Sequence, residues 1–118
     1  MKQLINSITI GIGVNDLKQA TDWYKALLGD VETLEPAPGM FELKLSDNAW
    51  LQLDETSYLK VGGKSSILRL ETTDIDASFK MVHKLTADVD NIETVEGVVK
   101  YFDFKDPAGN LLSFYQMI

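Results

Sequence analysis

An α+β fold built from two copies of one βαβββ unit is what the sequence predicts, and three observations carry it. Period-two and helix-period apolar patterns alternate along the chain, the order of elements recurs, and matching landmarks keep a nearly constant spacing. The aspartates that open the two helical stretches, Asp16 and Asp74, lie 58 residues apart, and the hairpin-turn aspartates, Asp47 and Asp106, lie 59 apart. Agreement at both ends of the unit favours duplication over coincidence.

From Leu4 to Val14, Ile8, Ile10, Ile12 and Val14 alternate with Thr9, Gly11 and Gly13, the signature of a half-buried strand. Asn15-Asp16 then offers a capping pair ahead of Leu17, Ala20, Trp23, Tyr24, Leu27 and Leu28, which fall on one helical face, and Gly29 ends the helix. A short stretch from Val31 to Leu34 leads into a loop with Pro36, Pro38 and Gly39. Two alternating runs, Phe41 to Leu45 and Ala49 to Leu53, flank the polar turn Ser46-Asp47-Asn48 and read as a hairpin. In the second copy, Ser65 to Glu71 is the strand and Thr73-Asp74-Ile75 the cap. Ile75, Phe79, Val82 and Leu85 form the helical stripe, and Val98 to Lys105 with Leu111 to Ile118 form the hairpin around Asp106-Pro107-Ala108-Gly109-Asn110. Between the copies, residues 55–64 carry Gly62-Gly63 and no period, so they read as a linker. Neither half has enough core to stand alone, and the expectation is a single domain over 1–118 with modules 1–54 and 65–118.

Composition narrows the function classes. With 118 residues, 45% hydrophobic and 25% charged, the chain suits one ordinary globular core. No apolar run approaches the roughly 20 residues that span a bilayer. The start, Met1-Lys2-Gln3-Leu4-Ile5-Asn6, reads poorly as a signal peptide, so a cytoplasmic location is expected. Zero cysteines exclude disulfides, thiolate zinc sites and a cysteine nucleophile. Eighteen acidic against eleven basic residues leave a formal charge of −7 with no basic stripe, which speaks against nucleic acid and leaves a neutral or cationic small molecule as partner.

Two motifs carry a resemblance. Val14-Asn15-Asp16-Leu17-Lys18 through Trp23-Tyr24 and Leu27-Leu28-Gly29 is similar to the first strand and helix of vicinal oxygen chelate proteins, the glyoxalase, bleomycin-resistance and extradiol dioxygenase superfamily. Phe104-Lys105-Asp106-Pro107-Ala108-Gly109-Asn110-Leu111-Leu112 resembles its second hairpin. In order and inside the repeat, the two cover essentially the whole chain. The resemblance implies an incomplete barrel with helices outside and a concave cleft inside, and commonly a homodimer. It also implies four metal-ligand positions, which fall here on Thr9, Gln52, Ile67 and Ser113. Of these only Gln52 could donate to a metal, so no metal and no other cofactor is expected. The single histidine, His83, belongs to the second helix and reads as structural.

The period-two rule sorts the strand residues between the two faces. Ile8, Ile10, Ile12, Leu43, Leu45, Leu51, Leu53, Leu68, Leu70, Phe102, Phe104, Leu112 and Phe114 should face the helices. Facing the cleft should be Thr9, Gly11, Glu42, Lys44, Asp54, Ile67 and the candidate ligand-binding set: Trp50, Gln52, Arg69, Glu71, Tyr101, Asp103, Ser113 and Tyr115. Aromatic faces with a few charges suit the capture of a planar ligand. The bland alternative is a solvated sheet face on which Trp50 covers an edge and Arg69 pairs with Glu71 or Asp103. Gly11 and Gly13 make a G-x-G inside a strand, which permits close approach of a ligand or a kink rather than phosphate binding.

Two functions fit these residues. One is a metal-free small-molecule binder of the glyoxalase and bleomycin-resistance type. The other is a metal-independent lyase or isomerase with a cleft carboxylate, Glu71 or Asp103, as general base. A role through dimerisation alone is a third reading, because fold does not dictate function.

Overall fold

The structure, a computed structural model, describes residues 4–118, and for residues 63–66 its backbone only. Contacts divide the chain into two compact units, Met1–Val61 and Gly62–Ile118. The first holds β1 (Ile8–Gly13), α1 (Leu17–Leu28), β2 (Thr33–Leu34), β3 (Met40–Ser46) and β4 (Ala49–Asp54). The second holds β5 (Gly63–Glu71), α2 (Ile75–Leu85), β6 (Glu93–Val95), β7 (Val99–Lys105) and β8 (Asn110–Met117). Each unit is thus βαβββ, and each forms a four-stranded mixed sheet, in the order β1-β4-β3-β2 or β5-β8-β7-β6. The outer pair β1–β4 is parallel, as is β5–β8, and the remaining pairs are antiparallel. The predicted α+β class and tandem modules are present. Met1–Gln3, part of the poor signal-peptide reading, lie outside the described residues.

The helices begin and end for the reasons the sequence offers. Asp16 caps α1 by accepting from the Gln19 N–H at 3.0 Å, and Asp74 caps α2 by accepting from Ala77 N–H at 3.0 Å. A second acceptor reaches each helix from the end of a central strand: Glu55 Oε2, just past β4, takes the Leu17 N–H at 2.7 Å and Gln116 Oε1, near the end of β8, takes the Ile75 N–H at 2.9 Å. Gly13 pairs with Asp54 and Glu71 with Tyr115, so Glu55 and Gln116 hold equivalent places in the two units. Two of the four orphan donors at each helix start are thereby answered in the same way. At the end of α1, Gly29 adopts φ 82° and its N–H donates to the Lys25 carbonyl.

The first core is mainly aliphatic: Leu43, Leu51 and Leu53 are fully buried, with Phe41 beside them, on the face that α1 covers with Ala20, Tyr24 and Leu27. The second is aromatic. Phe102 meets Phe79 of α2 edge-on at 5.3 Å between ring centres, and Phe104 stacks on Phe114 at 5.6 Å. Its hairpin turn is held by Asp106, whose Oδ1 accepts from the N–H groups of Ala108 and Asn110 at 2.9 and 2.8 Å.

Several expectations change. Ile8, assigned to the core, is 59% exposed, because it opens a strand at the edge of the sheet. Asp54, assigned to the open face, is 2% exposed and accepts from the Thr56 N–H and hydroxyl, so it closes the strand end. The hairpin turn of the first unit is shorter than expected, since Ser46 already pairs with Ala49. Residues 93–95, read as no element, form β6. The linker reading for 55–64 also shortens at its end, since β5 starts at Gly63 and Val61 bridges Gly13.

Candidate functional site

Residues directly opposite in paired strands project from the same face, so the register decides which candidates meet. In the second unit the pairs Arg69–Ser113 and Ser113–Asp103 make one row across β5, β8 and β7. The next row is Glu71–Tyr115–Tyr101–Glu93, reaching β6. Six of the eight candidates therefore share one patch, on the face opposite Phe102, Phe104 and Phe114. Tyr101 and Tyr115 are half-buried there, while Arg69 and Glu71 are exposed. Arg69 forms no ion pair with Glu71 or Asp103 among the described residues; the ion pairs found are Lys18–Asp22, Lys44–Glu32 and Lys105–Asp88.

Two residues in that patch depart from a simple solvated face. Ser113 is fully buried: it is the shortest side chain of its row, on a central strand, with longer ones on both sides. Asp103 is half-buried with its Oδ1 atom buried and without a hydrogen-bond partner among the described residues. Beside it lies a hollow of about 410 Å³ lined by Asp90, Asn91, Glu93, Tyr101 and Asp103. Asp90, Asn91 and Glu93 were not among the sequence candidates. Their segment has no apolar period; the backbone bonds from Asp90 N–H to the Asp103 carbonyl and from Lys105 N–H to the Asp88 carbonyl, together with the pairing of β6 on β7, bring it alongside β7.

Trp50 and Gln52 stand on the corresponding face of the first sheet, turned away from α1. Trp50 is opposite Thr9 and Lys44, and Gln52 is opposite Gly11 and Glu42. Gln52 Nε2 donates to Glu42 Oε2 at 2.8 Å, a pairing the sequence reading did not foresee. Gly11 and Gly13 do permit close approach, by the chain's own segment. A Cβ on Gly13 would lie 2.7 Å from the Lys60 carbonyl oxygen and 2.8 Å from that of Leu59, and one on Gly11 would lie 3.0 Å from the Leu59 side chain.

The metal positions implied by the resemblance do not fit a metal. Gln52 is the one amide donor and is engaged by Glu42, Ser113 is a neutral hydroxyl, Thr9 is another, and Ile67 has no donor atom. Among the described residues no group of three or more His, Cys, Asp or Glu is placed to hold an ion. No described helix is long and apolar enough to cross a membrane.

Comparison of the whole chain with solved structures decides the fold. An antibiotic binding protein, TnmS3 from Streptomyces sp. CB03234, superposes over 100% of both chains with a TM-score of 0.80 at 22% identity. This is the glyoxalase and bleomycin-resistance fold. A glyoxalase/bleomycin resistance protein from Catenulispora acidiphila matches 93% of this chain and 96% of its own, with TM-score 0.74 and 23% identity. A lactoylglutathione lyase from Agrobacterium tumefaciens matches 92% of this chain and 91% of its own, with TM-score 0.74 and 19% identity. No family model matches the sequence, and no curated protein matches it significantly. The glyoxalase-like fold thus bears out the expected resemblance at the level of architecture, across binders and enzymes alike.

Proposed function

We propose that the protein is a metal-free small-molecule binder that uses the glyoxalase-like fold as the bleomycin-resistance type does, with ligand-binding residues on the face of each unit's sheet that is turned away from its helix. One observation carries the reading: six candidate residues gather in two adjacent cross-strand rows that combine half-buried tyrosines with an unanswered carboxylate. Aromatic faces supply area at low entropic cost and charged groups set orientation, which is how a concave small-molecule site is built. TnmS3, an antibiotic binding protein of the same fold, supports the same class. The proposed ligand-binding residues are Trp50 and Gln52 in the first unit and Arg69, Glu71, Tyr101, Asp103, Ser113 and Tyr115 in the second. The protein is read as one domain over residues 1–118, cytoplasmic and homodimeric.

A thermal-shift screen of planar organic compounds, followed by calorimetric titration, tests this. Hits should weaken by about 1–3 kcal/mol on Tyr101→Ala or Trp50→Ala, the range for an anchoring aromatic. Hits indifferent to Trp50→Ala, Tyr101→Ala and Tyr115→Ala would sink the proposed site. The unanswered Asp103 oxygen also favours the second reading, a lyase or isomerase with this carboxylate as base. Mass spectrometry of a bound hit decides between them: conversion that stops in Asp103→Asn while binding persists would make the protein an enzyme.

A further inference from the structure

Resting on the binding reading above, we infer that residues 57–61 form a built-in strap whose Leu59 side chain occupies the first unit's ligand-binding face beside Gln52, and that a ligand engaging Gln52 displaces it. The two copies of the unit differ at this place. The offset of 58 residues that relates Asp16 to Asp74 also matches Gly11 with Arg69 and Gly13 with Glu71. The second unit thus carries two long side chains on its open face where the first carries none. The strap takes that space. Leu59 Cδ1 lies 3.0 Å and Gln52 Oε1 3.8 Å from the point where a Cβ on Gly11 would stand, so the two side chains converge over Gly11. The carbonyls of Leu59 and Lys60 rest on Gly13, and Val61 bridges to the same residue. Gln52 is then flanked on both sides by its own unit, by Glu42 at 2.8 Å and by Leu59. A ligand group that reaches Gln52 has to take the place of Leu59, and the group that replaces a leucine tip is apolar and about the size of an isobutyl.

The strap is lightly seated and strained at its start. No side chain of residues 57–61 forms a hydrogen bond or ion pair among the described residues, so apolar contact and the Val61 bridge hold it. The polar anchors stop at either end: Thr56 N–H donates to Asp54 Oδ1 at 2.7 Å, and Gly62 N–H donates to Asn110 Oδ1 at 3.0 Å. Ser57 has φ 71° and is the one non-glycine residue at positive φ among the described residues, while Gly62, at φ 72°, follows the strap. A residue with a side chain is disfavoured in that region, so lifting the strap releases strain stored at Ser57. Leu59 is half-buried and Gly11 is still exposed, which leaves the edge of the plug reachable from solvent. A segment with few buried contacts opens without unfolding the sheet beneath it. A ligand that needs the open state then binds with an affinity reduced by the fraction open.

The test is an NMR titration of the isotope-labelled protein with two probes, benzamide and para-isobutylbenzamide, the second adding the group that replaces Leu59. The isobutyl probe should move the amide signals of Gly11, Gln52 and residues 57–61. Leu59→Ala should tighten it by about ten-fold, as freeing a site that is open a tenth of the time would, and leave benzamide unchanged. Trypsin reads the strap without a ligand. Cleavage after Lys60, assigned by mass spectrometry, should quicken in Ser57→Val, whose β-branched side chain resists positive φ, and slow in Ser57→Gly, which accepts it. If Leu59→Ala does not fold, Ser57→Val should tighten the isobutyl probe in its place. Unchanged, weaker or absent binding of the isobutyl probe by the folded variant would overturn the inference, and so would cleavage indifferent to both changes at Ser57. The binding reading would survive either result, because its own screen rests on Trp50, Tyr101 and Tyr115.

Discussion

Gly13 has backbone where any other residue would need space. The carbonyl oxygens of Leu59 and Lys60 lie 2.8 and 2.7 Å from the position of its missing Cβ, and a backbone obstacle cannot rotate away. Gly13→Ala should therefore destabilise the protein by about 1–3 kcal/mol, the usual cost of overpacking, in a denaturant melt. Gly11→Ala should cost less, because what it meets is the end of the flexible Leu59 side chain. Neighbouring residues on β4 give a sharper contrast. Leu51 is fully buried against the helix side and Trp50 is only half-buried on the other. Leu51→Ala should cost roughly 2–5 kcal/mol of stability and Trp50→Ala distinctly less. The reverse order would mean that the facing of β4 is shifted by one residue.

At the scale of elements, each helix is fastened to its own sheet at its first turn. Asp74 caps α2 from within the sequence, and Gln116 caps it from β8, accepting from Ile75 N–H at 2.9 Å while donating to the Thr73 carbonyl at 2.9 Å. Asp74→Ala should cost about 1 kcal/mol, typical for the loss of an N-cap, and Gln116→Ala should loosen the same turn. Hydrogen exchange at the amides of Ile75 and Ala77 would report both; unchanged protection in either variant would show that the packing of Val82 and Phe79 alone holds the helix. The short strand β6 has a different origin. Its three exposed residues carry no burial pattern, and it exists because Glu93, Thr94 and Val95 find partners on β7.

For the whole molecule, two expectations concern its state in solution. Each sheet ends in strands paired on one side only, and exposed apolar side chains gather near such edges, Ile8 in one unit, Val95 and Val98 in the other. Unpaired edges invite association, so light scattering should give a mass near twice the 13.2 kDa chain. A monomer at tens of micromolar, on the order of the concentrations at which a stable dimer persists, would refute this. Elemental analysis after gentle purification should find no stoichiometric transition metal, because Thr9, Gln52, Ile67 and Ser113 offer one amide, two hydroxyls and a hydrocarbon. One zinc, nickel, iron or manganese per chain that disappears with Gln52→Ala would overturn that.

The sequence by itself determined the duplication, both helices with their capping aspartates, and the face on which Leu51, Phe102 or Tyr101 would lie. Each of these depends on local periodicity, which one stretch of chain displays without help from any other. It also assigned Arg69, Glu71, Tyr101, Asp103, Ser113 and Tyr115 to one face, because alternation assigns a face whatever the partner strand. What only the tertiary structure decided is who answers whom across the strands. Glu42 is satisfied by Gln52 and Asp103 by nothing among the described residues; Asp90 and Glu93 come to stand beside Asp103; and Leu59 and Lys60 come to rest on Gly13. These outcomes depend on register, side-chain length and the path of an aperiodic segment. They are contacts between residues distant in sequence, and no periodicity within either stretch records them.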